Sequence, residues 1–131
     1  MAAAIALDGI TKTFGPTTAV RDVTLRIPAG ALCGVIGPNG AGKTTLIRMI
    51  LGILFPDSGR LSVLGCGSAL GARDRVGYLP EERGLYRKMR VREFLTYMAR
   101  IKGMPDADIA AEAAAWLGRV GLADAADRRC E

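Results

Sequence analysis

The sequence of 131 residues contains no histidine. That removes every mechanism that needs an imidazole: Ser-His and Cys-His pairs, His-ligated metals, and acid–base work by a ring titrating near neutrality. Cysteine is scarce as well. Cys33, Cys66 and Cys130 are odd in number and widely spaced, and no C-x-x-C occurs. Neither a disulfide framework nor a zinc site is suggested, and a reducing compartment fits. Long apolar runs are missing too. The longest, residues 47–55, is too short to span a bilayer and carries Arg48. Residues 1–8 lack a basic segment and their apolar stretch stops at Asp8, so no signal peptide is indicated. No repeat or linker stands out.

What is present is a folding composition. Half the residues are apolar and 24% are charged, which suits a hydrophobic core and one domain, or a piece of one. The net charge is +5, from 18 basic and 13 acidic residues spread along the chain. A solvated basic face is the expected reading, with an anionic membrane surface or nucleic acid as the alternatives, and no nucleic-acid partner is expected.

The first third has the pattern of strands, at residues 4–7, 19–20 and 23–27, punctuated by Gly9, Gly15-Pro16 and Pro28-Ala29-Gly30. Residues 31–36 are nearly continuous apolar, the pattern of a strand covered on both faces. A helix is expected over residues 43–54, with Ile47, Ile50, Leu51 and Leu54 on one face. Short strands are expected at 60–64 and 75–79. The last third is helical, over 91–102 and 107–120. Phe94, Leu95, Met98 and Ile101 form the first apolar stripe; Ile109, Ala113, Trp116, Leu117 and Val120 form the second. Asp106 is the expected N-cap of the second helix and Gly121 its C′ residue.

Between the 31–36 segment and the first helix lies Gly37-Pro38-Asn39-Gly40-Ala41-Gly42-Lys43-Thr44, which matches G-x-x-x-x-G-K-[ST]. Each part answers a need of triphosphate binding. The glycines let the backbone curl so that N–H groups point at phosphate oxygens. The helix that follows contributes its positive end. Lys43 supplies a mobile cation for the terminal phosphates, and Thr44 a hydroxyl for Mg²⁺. An accidental glycine-rich turn would not also have an apolar strand before it and an amphipathic helix after it.

Residues 35–46, Val-Ile-Gly-Pro-Asn-Gly-Ala-Gly-Lys-Thr-Thr-Leu, resemble the Walker A segment of ABC transporter ATP-binding domains. The likeness continues on both sides. It includes Ala19-Val20-Arg21-Asp22-Val23-Thr24-Leu25 upstream and residues 52–59, Gly-Ile-Leu-Phe-Pro-Asp-Ser-Gly, downstream. Val76-Gly77-Tyr78-Leu79-Pro80 is similar to the strand that leads into that family's Q-loop, and Val91-Arg92-Glu93-Phe94-Leu95 to the start of its helical subdomain. The resemblance implies an α/β fold, a P-loop NTPase of ABC type. Residues 1–85 would form the β-subdomain and phosphate-loop core, and residues 86–131 part of the helical subdomain.

The resemblance also implies roles. ATP and Mg²⁺ would be held by residues 37–45, including Thr45. Phe14 would stack on adenine, with Val20 lining the same wall; the alternative for Phe14 is a core or edge-strand aromatic. Where the family has Gln after Leu-Pro, this chain has Glu81. It would contact Mg²⁺ through water, or serve only as a turn carboxylate. The run Tyr78-Leu79-Pro80-Glu81-Glu82-Arg83-Gly84-Leu85-Tyr86 is similar to a branch that powers export through a separate membrane subunit. Arg83, Arg87, Lys88, Arg90 and Arg92, with Tyr86 and Met89, fall where the family receives that membrane-spanning subunit; lipid headgroups or plain solvent are the other readings. The implied place is cytoplasmic, at the inner face of the membrane, in partnership with a second ATP-binding subunit. The family's signature motif, Walker B Asp with its catalytic Glu, and switch His are not found downstream of Lys43. The chain thus reads as a truncated, front part of the domain, inactive alone. A non-transport ATPase of the same fold, or a nucleotide-binding fragment without turnover, is the alternative.

Overall fold

The computed structural model describes residues 3–80 and 84–131. They form two compact units, Met1–Tyr78 and Leu79–Glu131.

The first unit is built on a long hairpin. Strands β1 (Ala3–Phe14) and β2 (Thr17–Pro28) pair antiparallel across the Gly15-Pro16 turn, and β3 (Ser58–Val63) pairs antiparallel on the other side of β1. The order is β2-β1-β3. The several short strands expected before residue 28 are therefore two long ones. Gly9 bends β1 rather than ending it. At Gly9 (φ +61) and Asp22 (φ +46) the register slips. There the Gly9 amide donates to Thr24 Oγ1 at 3.0 Å and the Asp22 amide to Thr11 Oγ1 at 3.0 Å. Threonine hydroxyls thus replace ladder partners, which is how a bulge is kept satisfied.

The bulge also explains the core. Leu7 and Ile10 are three apart, a spacing that would send them to opposite faces of a regular strand. The irregularity between them restores one face, and both are buried with Val20 and Met49. Ile5, Val23, Leu25, Leu46, Ile50, Leu54 and Leu61 pack around this cluster.

Helix α1 spans Lys43–Ile50, shorter than expected. It closes into a turn at Leu51, with Gly52 at φ +72. Its inward face is Leu46, Met49 and Ile50, and Ile47 is exposed instead. The helix is apolar on more than one side, so periodicity alone leaves its rotation open; the sheet it packs on decides it.

Two expected strands do not form. Residues 31–36 have no ladder partner among the described residues, and Leu32 and Ile36 are fully exposed. Residues 69–75 form a 3-10 segment, and 76–80 are likewise unpaired. A strand exists only with a neighbour to receive its backbone groups. An apolar run reports suitability for burial, not the presence of that neighbour.

In the second unit, α2 (Val91–Ile101) and α3 (Asp106–Arg119) are joined through Gly103, at φ +79, and Pro105. Glu93 Oε2 accepts the Arg90 amide at 2.8 Å, closing the start of α2. Pro105, not Asp106, is the N-cap of α3. Asp106 instead takes the Arg100 guanidinium at 2.8 and 3.4 Å. Gly121, at φ +72, follows the C-cap Val120 as expected. Ile109 and Leu117 are buried, whereas Trp116 and Val120 are exposed, so the stripe on α3 is narrower than its apolar content. Tyr86 stands edge-on to Tyr97, centroids 5.7 Å apart, and Phe94 lies 6.4 Å from Tyr86. The neighbouring Tyr86 phenol raises the Tyr97 phenol above its ordinary range. Among the described residues no helix is long and apolar enough to cross a membrane.

Candidate nucleotide-binding site

The glycine-rich loop enters α1 through Gly42, the N-cap, in the left-handed region at φ +86. Helix N-caps are usually Ser, Thr, Asp or Asn, whose side chains satisfy the first free amides. Gly42 provides no such acceptor, and the first turn carries no acidic residue. The earliest bond into the helix runs from the Leu46 amide to Gly42 O at 2.9 Å. The amides of Lys43, Thr44 and Thr45 are thereby left at a positive helix end with no side-chain cap and no first-turn carboxylate.

Lys43 is half-buried, and its Nζ donates to Gly37 O at 2.7 Å and Pro38 O at 2.6 Å. Its stem crosses Gly37, where an added Cβ would lie 3.9 Å from Lys43 Cδ. The Ala41 amide donates to Pro38 O at 3.2 Å, closing a turn around Asn39 and Gly40. Gly40 is also left-handed, at φ +82, with open space where a side chain would project. Thr44 is exposed and Thr45 half-buried. Gly42 is set against β2: a Cβ there would fall 2.1 Å from Ala19 O and 3.3 Å from Val20 Cγ2. Val20, expected on the adenine wall, is buried in the core beneath this contact. Glu81 lies outside the described residues.

Phe14 ends β1 and is 47% exposed. Lys12 Nζ lies 5.5 Å from its ring centroid. Lys12 is in turn held by Asp57 Oδ1 at 2.6 Å, while Asp57 Oδ2 accepts the Thr13 amide at 2.7 Å. Ala19, Lys12 and Asp57 were not among the residues singled out from sequence. Lys-x-Phe on a strand puts both side chains on one face, the signal that was available; Asp57 showed only within the run of residues 52–59.

The Lys12 hydrogen bond, then the Thr13 amide, hold the Asp57 carboxyl below the usual carboxylate range. A carboxylate depressed in the folded state adds stability that is present above its unfolded pKa of about 4 and is lost as pH falls through the folded value. The parent is therefore expected to unfold at a higher temperature than Asp57→Asn from pH 7 down to 5, with the two curves converging on the acid side of pH 4. Thermal melts across that range check it; a gap that persists at pH 2 would remove the carboxylate from the explanation.

Of the basic segment, Arg90 Nη1 donates to Asp127 O at 3.1 Å and Arg92 Nη2 pairs with Asp127 Oδ2 at 3.2 Å. The Val91, Arg92 and Cys130 amides add bonds to Arg128 O, Ala126 O and Met89 O. These two arginines therefore hold the returning tail. Arg87 and Lys88 are exposed, with no ion pair among the described residues; Arg83 lies outside them.

A glycine-rich loop running into a glycine-capped helix that opens with lysine, mounted beside an antiparallel sheet, defines a phosphate-loop nucleotide-binding protein. The family model described as ABC transporter matches residues 20–131. A Bacillus subtilis (strain 168) protein named uncharacterized ABC transporter ATP-binding protein YhaQ is 44% identical over 97% of this chain and 43% of its own length. The Nod factor export ATP-binding protein I of Bradyrhizobium diazoefficiens is 39% identical over 96% and 42%. The Fe(3+) ions import ATP-binding protein FbpC of Pseudomonas fluorescens is 42% identical over 67% and 27%. The solved structure of cbiO1 from Clostridium perfringens, described as part of the ABC transporter complex cbiONQ, superposes with a TM-score of 0.80 at 22% identity, over 98% of this chain and 55% of that one. The chain belongs to the ABC transporter ATP-binding family and has the front part of its P-loop NTPase fold. It spans less than half the length of the curated relatives named here.

Proposed function

We propose that this chain binds Mg-ATP and that the complete domain hydrolyses it to drive an ABC exporter. The carrying observation is the uncapped, acid-free N-terminus of α1 at Gly42, with Lys43 Nζ 2.6–2.7 Å from the loop carbonyls. Such a terminus suits an anion. The residues fit the group: residues 37–45 would hold the phosphates, Lys43 would supply the cation for them, and the Thr44 hydroxyl would be a ligand for the metal. When bound, Mg²⁺ neutralises charge on the phosphates. Phe14 would carry the base, Val20 belongs to the core below the loop, and Glu81 would contribute at the metal through water. Hydrolysis is assigned to the complete domain because no run of four apolar residues followed by Asp-Glu occurs after Lys43.

The partners proposed are a membrane-spanning subunit and a second ATP-binding subunit, at the inner face of the membrane. Export rests on the residue 78–86 run and on the likeness to a Nod factor export protein; the likeness to an iron importer makes direction the finer question. The full-length protein, purified from detergent-solubilised membranes, is expected to bring down a polytopic membrane protein and to show Mg-dependent ATPase activity. Recovery with ribosomes or DNA, with no membrane partner, would overturn the transport assignment.

A further inference from the structure

At the end of the sheet beside the phosphate loop, one aspartate engages three consecutive residues of β1. The Asp57 amide donates to Thr11 O at 2.9 Å, its Oδ1 takes Lys12 Nζ at 2.6 Å, and its Oδ2 takes the Thr13 amide at 2.7 Å. The Lys12 side chain is only 18% exposed, so this is not a mobile surface lysine. Its ammonium is fixed 5.5 Å from the Phe14 ring centroid.

We propose that Asp57, acting through Lys12, is a positioning residue for the nucleotide base: it holds the ammonium over one side of Phe14 and leaves the ring to receive adenine on the other. This rests on the reading of Phe14 as the base platform. A cation on one face does two things. It denies that face to the base, giving the ring a single stacking side. It also draws π-density toward itself, leaving the far face better suited to an electron-rich purine. The register supports the placement. Lys12 pairs with Val20, and Val20 Cγ2 lies 3.3 Å from where a Cβ would stand on Gly42. Phe14 is two residues further along β1, about 7 Å at the usual strand rise. The platform and the phosphate loop are thus tied to one hairpin.

The test compares ATP with inorganic tripolyphosphate, which shares the phosphates and lacks the base, by titration calorimetry on the full-length protein. Lys12→Met is expected to weaken ATP about five-fold, because the ring loses its polarising charge and its single stacking face, and to leave tripolyphosphate unchanged. Asp57→Asn should move in the same direction, and Lys12→Arg should restore the parent value. In a Phe14→Ala background, Lys12→Met should have no further effect. Equal losses for both ligands, or the same five-fold loss without the ring, would mean a merely structural role and overturn the proposal. A different result marks failure of its premise: Phe14→Ala itself leaving the preference for ATP over tripolyphosphate intact. Should Lys12→Met not fold, Lys12→Gln, neutral and of similar reach, gives the same comparison.

Discussion

Replacing Lys43 by alanine is expected to abolish useful Mg-ATP binding while leaving the fold in place. The side chain is half-buried, and its contacts are two carbonyls of its own loop. It is not a member of the core cluster. Toward a triphosphate it is the one mobile cation on the loop. A hydrogen bond to a charged group is worth about 1.5–3 kcal/mol, or roughly ten- to 150-fold in affinity. The loss should exceed that of one contact, because without the ammonium the Gly37 and Pro38 carbonyls face the incoming phosphates with nothing to offset them. ATP and tripolyphosphate should be weakened alike. Calorimetry with both, alongside circular dichroism, reads the result; a folded variant that binds ATP like the parent would end the phosphate-loop assignment.

Gly42→Ala should be the more damaging change, and for a different reason. The new methyl would stand 2.1 Å from Ala19 O, a backbone atom of β2 that cannot rotate away. The backbone at φ +86 adds a cost of about 1–2 kcal/mol for a residue with a Cβ. Either α1 shifts off the sheet or the loop leaves its curve, and both spoil the anion site. A stability loss of about 2–4 kcal/mol is expected. Gly40→Ala makes the control: its φ is +82, yet nothing lies within 4 Å of the added carbon. It should show the backbone cost alone. Melting temperatures of the two variants separate steric seating from conformational strain, and equal losses would refute the seating.

The phosphate loop was legible because its chemistry is local: contiguous residues supply the curl, the amides and the cation. Helices α2 and α3 were legible to within a residue or two, since their breakers, Gly103, Pro105 and Gly121, act within one turn; the cap expected at Asp106 was not, because Arg100 takes its carboxylate. The strands were less so. A bulge at Gly9 depends on the hydroxyl of Thr24, 15 residues away, and residues 31–36 carry the composition of a buried strand with no partner among the described residues. The support beneath Phe14 was invisible for a similar reason. Lys12 and Asp57 are 45 residues apart, and only the β2-β1-β3 order brings them together.

That separation has a kinetic side. The β1–β2 hairpin closes over a two-residue turn and needs little chain entropy. The contact between Lys12 and Asp57 must close a 45-residue loop, with a cost that grows as the logarithm of loop length. Hairpin first and β3 later is the order that contact range favours. The phosphate loop and α1 lie inside the segment that must close. A chain that has formed its hairpin but not docked β3 would hold Phe14 with no fixed cation behind it. Affinity for the base would then rise, by about the five-fold expected of Lys12, when β3 docks, so a fluorescent adenine nucleotide would report the arrival of the third strand.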